Sequence, residues 1–328
     1  MNHLSNPILA TLIYYDIFNF PLTMLEVHKY LINPARLSKN AVVKTISLNQ
    51  VLENLENLIQ SRLIGSKNGF YFLSGRDFLC EIRIEREKKA AQKWKKFLKI
   101  GKWFQAVPYL RAILASGSLA LNNTEEESDF DVLSVAKSGR LYTCRIFLSF
   151  VASLFKARRT RYQISAPDKF CFNHYIVDGN LNIKHESLFN AQTYVNLKPV
   201  FIEDELFENF YASNLWLNKY VYNFRPEKMF VRRSVRPSLV LRLVAAFGEF
   251  VLNNKFGDFL EKILKKYQHR RIKLNPVTYE KGGRIVFNDD ELEFHPRSFE
   301  AKALTRYNEF LKRFRILFSE EEKDSGLE

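Results

Sequence analysis

The stretch from Leu110 to Leu133 constrains the fold of this chain more than any other part of its sequence. Leu110 to Ala115 is a short apolar run, typical of a strand buried on both faces. It passes directly into Ser116-Gly117-Ser118, and a second apolar stretch follows after a spacer of ten residues. That second stretch opens with Asp129-Phe130-Asp131. We therefore expect two buried strands that share a polar, acid-bearing edge.

The spacing of the two acids predicts a metal–nucleotide site. Residues i and i+2 of a strand point to the same side, so Asp129 and Asp131 present two carboxylates in one direction. Like charges so close are unfavourable unless a cation neutralises them, and carboxylates suit Mg²⁺. Gly117 lets a phosphate approach the backbone closely, and the Ser118 hydroxyl can donate to its oxygens. The alternative is an Asp pair in a solvated turn at the end of a strand.

This stretch resembles the signature of the DNA polymerase β-like nucleotidyltransferase superfamily, over about Leu114 to Val135. The resemblance implies that Asp129 and Asp131 are catalytic and bind two Mg²⁺ or Mn²⁺ ions. It also implies that an acceptor hydroxyl attacks the α-phosphorus of a nucleoside triphosphate (NTP) and that pyrophosphate leaves. Nucleotide binding is assigned to four residues: Ser116, Gly117, Ser118 and Lys198, the last on a helix expected from Leu188 to Phe201.

A third carboxylate is expected on the neighbouring strand, Lys169 to Val177, yet that strand contains no acid. Asp168 is ranked first among the flanking acids, ahead of Asp178 and Glu186. Within the strand, Asn173 could coordinate a metal through its amide oxygen. His174 could act as a base, although an ordinary packed histidine is the simpler interpretation. Without a substitute acid, the domain would bind nucleotide but not turn it over.

The rest of the chain divides by pattern into further units, and the expected fold class is α+β, multidomain. The first unit has three helical patterns, the turn Ser66 to Gly69 and an alternating strand, typical of a winged helix. A capping box is expected between Thr23 and Glu26. The expected units are a winged helix at 1–80, a connecting helix at 81–104, a nucleotidyltransferase α/β domain with a small mixed sheet at 105–204, a mostly helical domain at 205–318 and a disordered acidic tail at 319–328.

Charge and cysteine content limit the partners and the compartment. The formal charge is +14, from 50 Lys and Arg against 36 Asp and Glu, which favours polyanionic partners. Three widely separated cysteines give neither zinc-ligand spacing nor a disulfide framework, so a cytoplasmic location is expected. No apolar run is long enough to predict a membrane span.

Three functions remain open from the sequence. The first is nucleotidyl transfer to an unidentified hydroxyl acceptor. The second is a regulatory protein whose winged helix contacts nucleic acid and whose nucleotidyltransferase domain is degenerate. The third is a protein that binds a membrane surface through its basic C-terminal helices. The intact Asp pair favours the first of these.

Overall fold

A computed structural model describes residues 4–37, 46–160, 163, 165–226, 233–296, 298–318 and 320–324. The described residues form a mixed α/β structure with two sheets. The smaller sheet is antiparallel and its strands lie in the order 22–23, 70–73 and 64–67. The larger sheet is mixed and its strands lie in the order 198–201, 110–115, 130–136, 170–177, 291–295 and 284–287. The expected α+β class with a mixed sheet is therefore confirmed.

The N-terminal region alternates short helices with the strands of the small sheet. Its second helix begins with a capping box in which Thr23 and Glu26 bond reciprocally, as predicted. Ser47 and Gln50 form a second capping box at the start of the third helix. The elements are α1 (Ser5–Asp16), β1 (Leu22–Thr23), α2 (Met24–Lys29), α3 (Leu48–Gln60), β2 (Ile64–Lys67) and β3 (Phe70–Leu73).

Helix α1 is apolar on almost every side, so it can be covered by other parts of the protein on more than one side. It packs against α3 within the N-terminal region and against the C-terminal helix α12 (Glu300–Arg313). The Tyr14 and Tyr307 rings meet edge to face, with centroids 5.9 Å apart. A single hydrophobic core thus includes residues from the N-terminal, central and C-terminal parts of the chain.

Helix α4 (Leu79–Gly101) leads from the small sheet to the large one. Its sequence suggests a solvated helix, yet Arg83 and Lys93 are buried. Arg83 bonds to Glu26 and to the Pro21 carbonyl, while Lys93 reaches toward the central sheet. Buried charges of this kind are tolerated because each is paired and hydrogen-bonded.

The large sheet is built around β4 (Leu110–Ala115), β5 (Phe130–Ala136) and β6 (Phe170–Val177). β4 runs antiparallel to β5, and the short α5 (Gly117–Ala120) lies between them in sequence. β5 runs parallel to β6, and the crossover between them contains α6 (Leu141–Leu154). This arrangement brings the end of β4 beside the start of β5. Ser116, Gly117 and Asp131 therefore lie close together.

The expected helix from Leu188 to Phe201 is wrong in its second half. Helix α7 (Leu188–Tyr194) ends early, and the edge strand β7 (Lys198–Phe201) follows it and pairs with β4. Pro199 explains the difference, because proline disrupts a helix interior but is tolerated in an edge strand. Lys198 therefore lies on the sheet rather than on a helix.

The C-terminal region is mostly helical, but it also contributes to the central sheet. β9 pairs with β6 and with β8, so the hairpin extends the large sheet across the expected boundary at residue 204. None of the described helices is both long and apolar enough to cross a bilayer. The elements before α12 are α8 (Asp204–Ala212), α9 (Leu217–Tyr220), α10 (Leu239–Leu252), α11 (Lys255–Lys273), β8 (Arg284–Phe287) and β9 (Glu291–His295).

The expectation of a disordered tail fails for residues 320–324. Glu322 is buried and forms an ion pair with Arg36. Its backbone also exchanges hydrogen bonds with the Asn308 side chain, at 2.8 and 3.1 Å. The acidic composition that suggests disorder is here offset by specific partners distant in sequence. Residues 319 and 325–328 lie outside the described residues.

Candidate active site

The bend after β4 is held directly against β5. The Ser116 N–H donates to the Asp131 carbonyl at 2.9 Å, which fixes the end of one strand on the start of the next. Gly117 then adopts φ +60°, in the left-handed region that side chains disfavour. A Cβ on Gly117 would lie 2.6 Å from Asp131 Oδ2. The glycine thus meets both a conformational and a spatial requirement.

Asp129 and Asp131 come together as the spacing predicts. Asp129 immediately precedes β5 and Asp131 is its second residue. One oxygen of each carboxylate and the Cys171 sulfur all lie within 4.8 Å of one another, and all three residues are half-buried. Two acids so close need a cation to neutralise them.

The pKa of Asp131 reflects both its burial and its proximity to Asp129. Burial raises the pKa of Asp131 to about 7, and repulsion by Asp129 adds to the increase. Attraction to Arg159 and the hydrogen bond from Asn173 act in the opposite direction. Burial also raises the pKa of the Cys171 thiol, as do the two aspartates, so this sulfur stays protonated and is a poor ligand for a hard cation.

Arg159 is a site residue that sequence reasoning missed. Its guanidinium forms an ion pair with Asp129 and lies 3.9 Å from the Cys171 sulfur. Burial lowers the pKa of Arg159, but attraction to Asp129 outweighs it and the pKa is raised. Arg159 lies in the loop after α6, where no local pattern connects it with the Asp pair. The backbone of this loop instead pairs with the start of β6, where the Arg159 N–H donates to the Phe170 carbonyl at 3.0 Å.

The position of the expected third acid is occupied by uncharged side chains. Cys171 is the cross-strand partner of Asp131, and two residues later the Asn173 amide donates to Asp131 Oδ1 at 3.0 Å. His174 takes no part in this cluster. It is buried, lies 3.1 Å from Glu291 and accepts or donates a 3.0 Å hydrogen bond with Tyr194.

Asp168 does not belong to the cluster of close ligand atoms around Asp131. It forms ion pairs with Lys93, at 2.9 Å, and with Lys96, both on α4. Burial would raise the pKa of Asp168, but the two lysines outweigh it and lower the pKa. Lys93 also donates to the Glu126 and Ser128 carbonyls, at 2.8 Å each. Asp168 is thus part of a structural network that supports the loop before Asp129.

The remaining candidates are placed as follows. Asp178 accepts from the Ser138 N–H at 2.8 Å, beyond the opposite end of β6. Glu186 pairs with Lys219. Lys198 is the cross-strand neighbour of Ala115, the residue before Ser116, so its backbone lies beside the bend. In the part of the chain that the structure describes, Asp129 and Asp131 are the only carboxylates in this cluster.

The donor set fits a hard divalent cation. The two carboxylates supply oxygen ligands, and the bend at Gly117 leaves no room for a side chain against Asp131. Ser116, Gly117 and Ser118 are half-exposed, so the site is open to a ligand from solvent. Comparisons of the chain with family models, with curated proteins and with solved structures gave no match.

Proposed function

We propose that the chain is a nucleotidyltransferase that moves a nucleoside monophosphate from an NTP to an acceptor hydroxyl. The observation that carries this proposal is the contact between the Gly117 bend and the Asp131 carboxylate. A phosphate that lies against the bend is necessarily beside the paired acids. A site with that geometry can bind a phosphate chain and its neutralising cation at the same time.

Each residue has a separate role in this proposal. Asp129 and Asp131 hold Mg²⁺ or Mn²⁺, which would neutralise charge on the phosphates. The backbone at Ser116 and Gly117 and the Ser118 hydroxyl bind phosphate oxygens. Lys198, on the adjacent strand β7, neutralises negative charge on the phosphates. The acceptor hydroxyl releases its proton to water and its oxygen bonds to the α-phosphorus. The bond from the α-phosphorus to the bridging oxygen breaks, and pyrophosphate leaves with the electron pair.

Arg159 adds a positive charge that the sequence did not suggest. It already lies on Asp129, so an ion that binds Asp129 must share or displace it. A guanidinium released from Asp129 is well placed to bind the phosphates that arrive with the ion, because its planar fork matches phosphate oxygens. We therefore add Arg159 to the residues proposed to bind NTP.

Incubation with each α-labelled NTP, with Mg²⁺ or Mn²⁺ and with cell extract tests the proposal. The wild type should transfer label to an acceptor, and Asp129→Asn/Asp131→Asn should not. The matched control is Asp289→Asn/Asp290→Asn, which removes the same charge from two exposed neighbours. Label transfer that survives in the Asp129/Asp131 variant would rule out the proposed site.

A second function, nucleotide binding without turnover, is favoured by one specific observation. The side chains that β6 offers to Asp131 are Cys171 and Asn173, and neither is a base at neutral pH. In that case the wild type binds NTP in a metal-dependent manner, yet no label reaches any acceptor. Equilibrium binding of a fluorescent NTP, measured beside the transfer assay, separates the two functions.

A winged helix would complete the domain arrangement that the resemblance implies, and the order of α1, α2, α3, β2 and β3 is compatible with one. The exposed face of α3 gives no support for duplex DNA as its ligand. That face carries Glu53 and Glu56 and no Lys or Arg, whereas DNA backbones require cationic partners. We therefore propose a protein-contact role for this region, and an electrophoretic shift of duplex DNA by the full chain would contradict it.

A further inference from the structure

Helix α10 exposes an apolar surface to solvent. None of its residues is buried, and Phe247 and Phe250 are 69% and 79% exposed. Isolated exposed apolar side chains are common, but a continuous group of them marks a surface that binds something. The group on α10 comprises Leu239, Val240, Leu243, Val244, Phe247, Phe250 and Val251.

The opposite face of α10 anchors the helix to the protein, so its orientation is fixed. Glu249 accepts hydrogen bonds from Arg111, at 2.8 and 3.0 Å, and from the Tyr109 N–H at 2.8 Å. The preceding residue, Gly248, packs so closely that a Cβ there would lie 3.3 Å from Pro108. The apolar side chains therefore point outward because the polar side of the helix is bound inward.

Helix α11 contacts α10 and carries an exposed apolar stripe of its own. Phe256, Phe259, Ile263 and Tyr267 are separated by three, four and four residues, which places them along one side of the helix. Their exposed fractions are between 47% and 63%. Basic residues lie along one side of the stripe and line a surface cleft: Lys262, Lys266, Arg270 and Lys273. Lys265 also lines the cleft, but it lies on the far side of the helix and pairs with Asp289 at 2.5 Å.

The acidic residues of both helices are directed away from this surface. Residues 239–273 contain three acids, and each is bound to the body of the protein. Glu249 bonds to Arg111. Asp258 pairs with Arg140. Glu261 accepts from the backbone N–H groups of Tyr142 and Thr143, at 2.8 Å each. The outward face is therefore both apolar and positively charged.

We propose that the α10–α11 surface docks onto an anionic lipid membrane. Apolar and aromatic side chains interleaved with lysine and arginine suit the boundary between acyl chains and negative headgroups. The charge disfavours a second copy of this chain, because two such surfaces face to face would repel. Neither helix is long and apolar enough to cross a bilayer, so the surface would lie on the membrane. This inference does not depend on the Asp129/Asp131 site.

Co-sedimentation of the full chain with vesicles tests the inference. Vesicles of phosphatidylcholine with about 30 mol% phosphatidylglycerol should bind at least about tenfold more tightly than phosphatidylcholine alone. Phe247→Gln/Phe250→Gln should weaken binding to the anionic vesicles about tenfold or more, because it removes two rings from the apolar boundary. The matched control, Leu25→Gln/Leu215→Gln, changes two side chains of 61% and 68% exposure elsewhere and should bind normally.

A charge-reversal pair completes the experiment. Lys262→Glu/Lys266→Glu should reduce binding to the anionic vesicles at least about tenfold. Lys88→Glu/Lys89→Glu changes the net charge equally at exposed positions of α4 and should bind normally. Equal binding to both vesicle types, or equal loss in test and control variants, would overturn the inference. Vesicle binding absent in the wild type, with dimers that Phe247→Gln/Phe250→Gln abolishes, would assign the surface to a second copy instead.

Discussion

Gly117 and Asp131 lie in direct contact at the centre of the candidate site. A methyl group at the Gly117 Cα would be 2.6 Å from Asp131 Oδ2, closer than any real Cβ contact. The glycine also has φ +60°, so an L side chain would be strained even in open space. Position 117 therefore couples the shape of the bend to the position of a proposed metal ligand.

Gly117→Ala should abolish label transfer and weaken cation binding. The methyl group must displace the Asp131 carboxylate, so a loss of transfer of at least about 100-fold is expected, the size that a small misplacement at a reacting centre produces. The readouts are the transfer assay and Mn²⁺ binding by electron paramagnetic resonance. Gly139→Ala is the control, because Gly139 has φ +74° with nothing within 4 Å of its Cβ position. It should lose about 1 kcal/mol of stability and keep its activity.

Arg159→Gln should strengthen the binding of metal without nucleotide and weaken the transfer of label from NTP. Without nucleotide, Asp129 loses its guanidinium partner and becomes more available, so Mn²⁺ should bind about threefold or more tightly. With NTP, the triphosphate loses a cationic partner, so transfer should fall about tenfold or more. Arg158→Gln removes the same charge from an exposed neighbour and should change neither. Mn²⁺ affinity that falls in Arg159→Gln would contradict the competition between guanidinium and metal.

Asn173→Asp should increase the transfer rate if the third carboxylate is what the site lacks. Asn173 already bonds to Asp131 at 3.0 Å, so an aspartate there would stand beside the metal ligands. General-base assistance is worth about 100-fold or more, and a gain of at least about tenfold is expected. A third negative charge should also lower the unfolding midpoint without metal. Asn173→Ala is the control, and a gain in that variant too would exclude an effect of the acid.

The local chemistry of the site could be predicted from sequence, but its partners could not. The i, i+2 spacing and the glycine bend are short-range features, and the structure brings Asp129, Asp131 and Gly117 together as expected. Arg159 pairs with Asp129, and the backbone around Arg159 pairs with Phe170 at the start of β6, a contact that no periodicity encodes. The pairing of Asp168 with Lys93 and Lys96 could not be predicted either, because the two lysines come from a helix distant in sequence.

The fold shows the same division between local and long-range information. The capping box at Thr23 and Glu26 depends on residues three apart and was predicted correctly. The local pattern favours a helix through Lys198, but the pairing of this segment with β4 outweighs that propensity and makes it a strand. The addition of β9 to the central sheet, and the burial of Glu322 against Arg36, depend on contacts across most of the chain.

Asp168→Asn should reduce stability and leave the transfer chemistry intact. Lys93 is buried, and Asp168 is its partner at 2.9 Å, so the substitution removes the counter-charge of a buried ammonium. The expected loss is about 1–3 kcal/mol in the free energy of urea unfolding. Transfer per folded molecule should stay within about threefold of wild type, since a catalytic base is worth about 100-fold or more. A larger loss of transfer at unchanged stability would restore Asp168 as a catalytic acid.

Glu293 should make stability sensitive to acid. The carboxylate is buried and bonds to Arg284 through two hydrogen bonds, at 2.5 and 2.7 Å. Burial alone would raise the pKa of Glu293, but attraction to His174 and Arg284 outweighs it and lowers the pKa from 4.5 to about 2. Between these values the unfolded chain binds the proton and the folded chain does not. The stabilisation is therefore complete above pH 4.5 and is lost as the pH falls toward 2.

Glu293→Gln should remove this part of the acid sensitivity. At neutral pH the variant should lose about 3 kcal/mol or more in the free energy of unfolding, because Arg284 and Glu300 remain buried with an incomplete network. The difference between variant and wild type should shrink as the pH is lowered below 4.5, since the wild type then loses the same interaction. Glu208→Gln, at an exposed position of α8, is the control and should follow the wild type throughout. Urea unfolding monitored by circular dichroism across this pH range measures all three proteins, and a gap that widens toward low pH would refute the assignment.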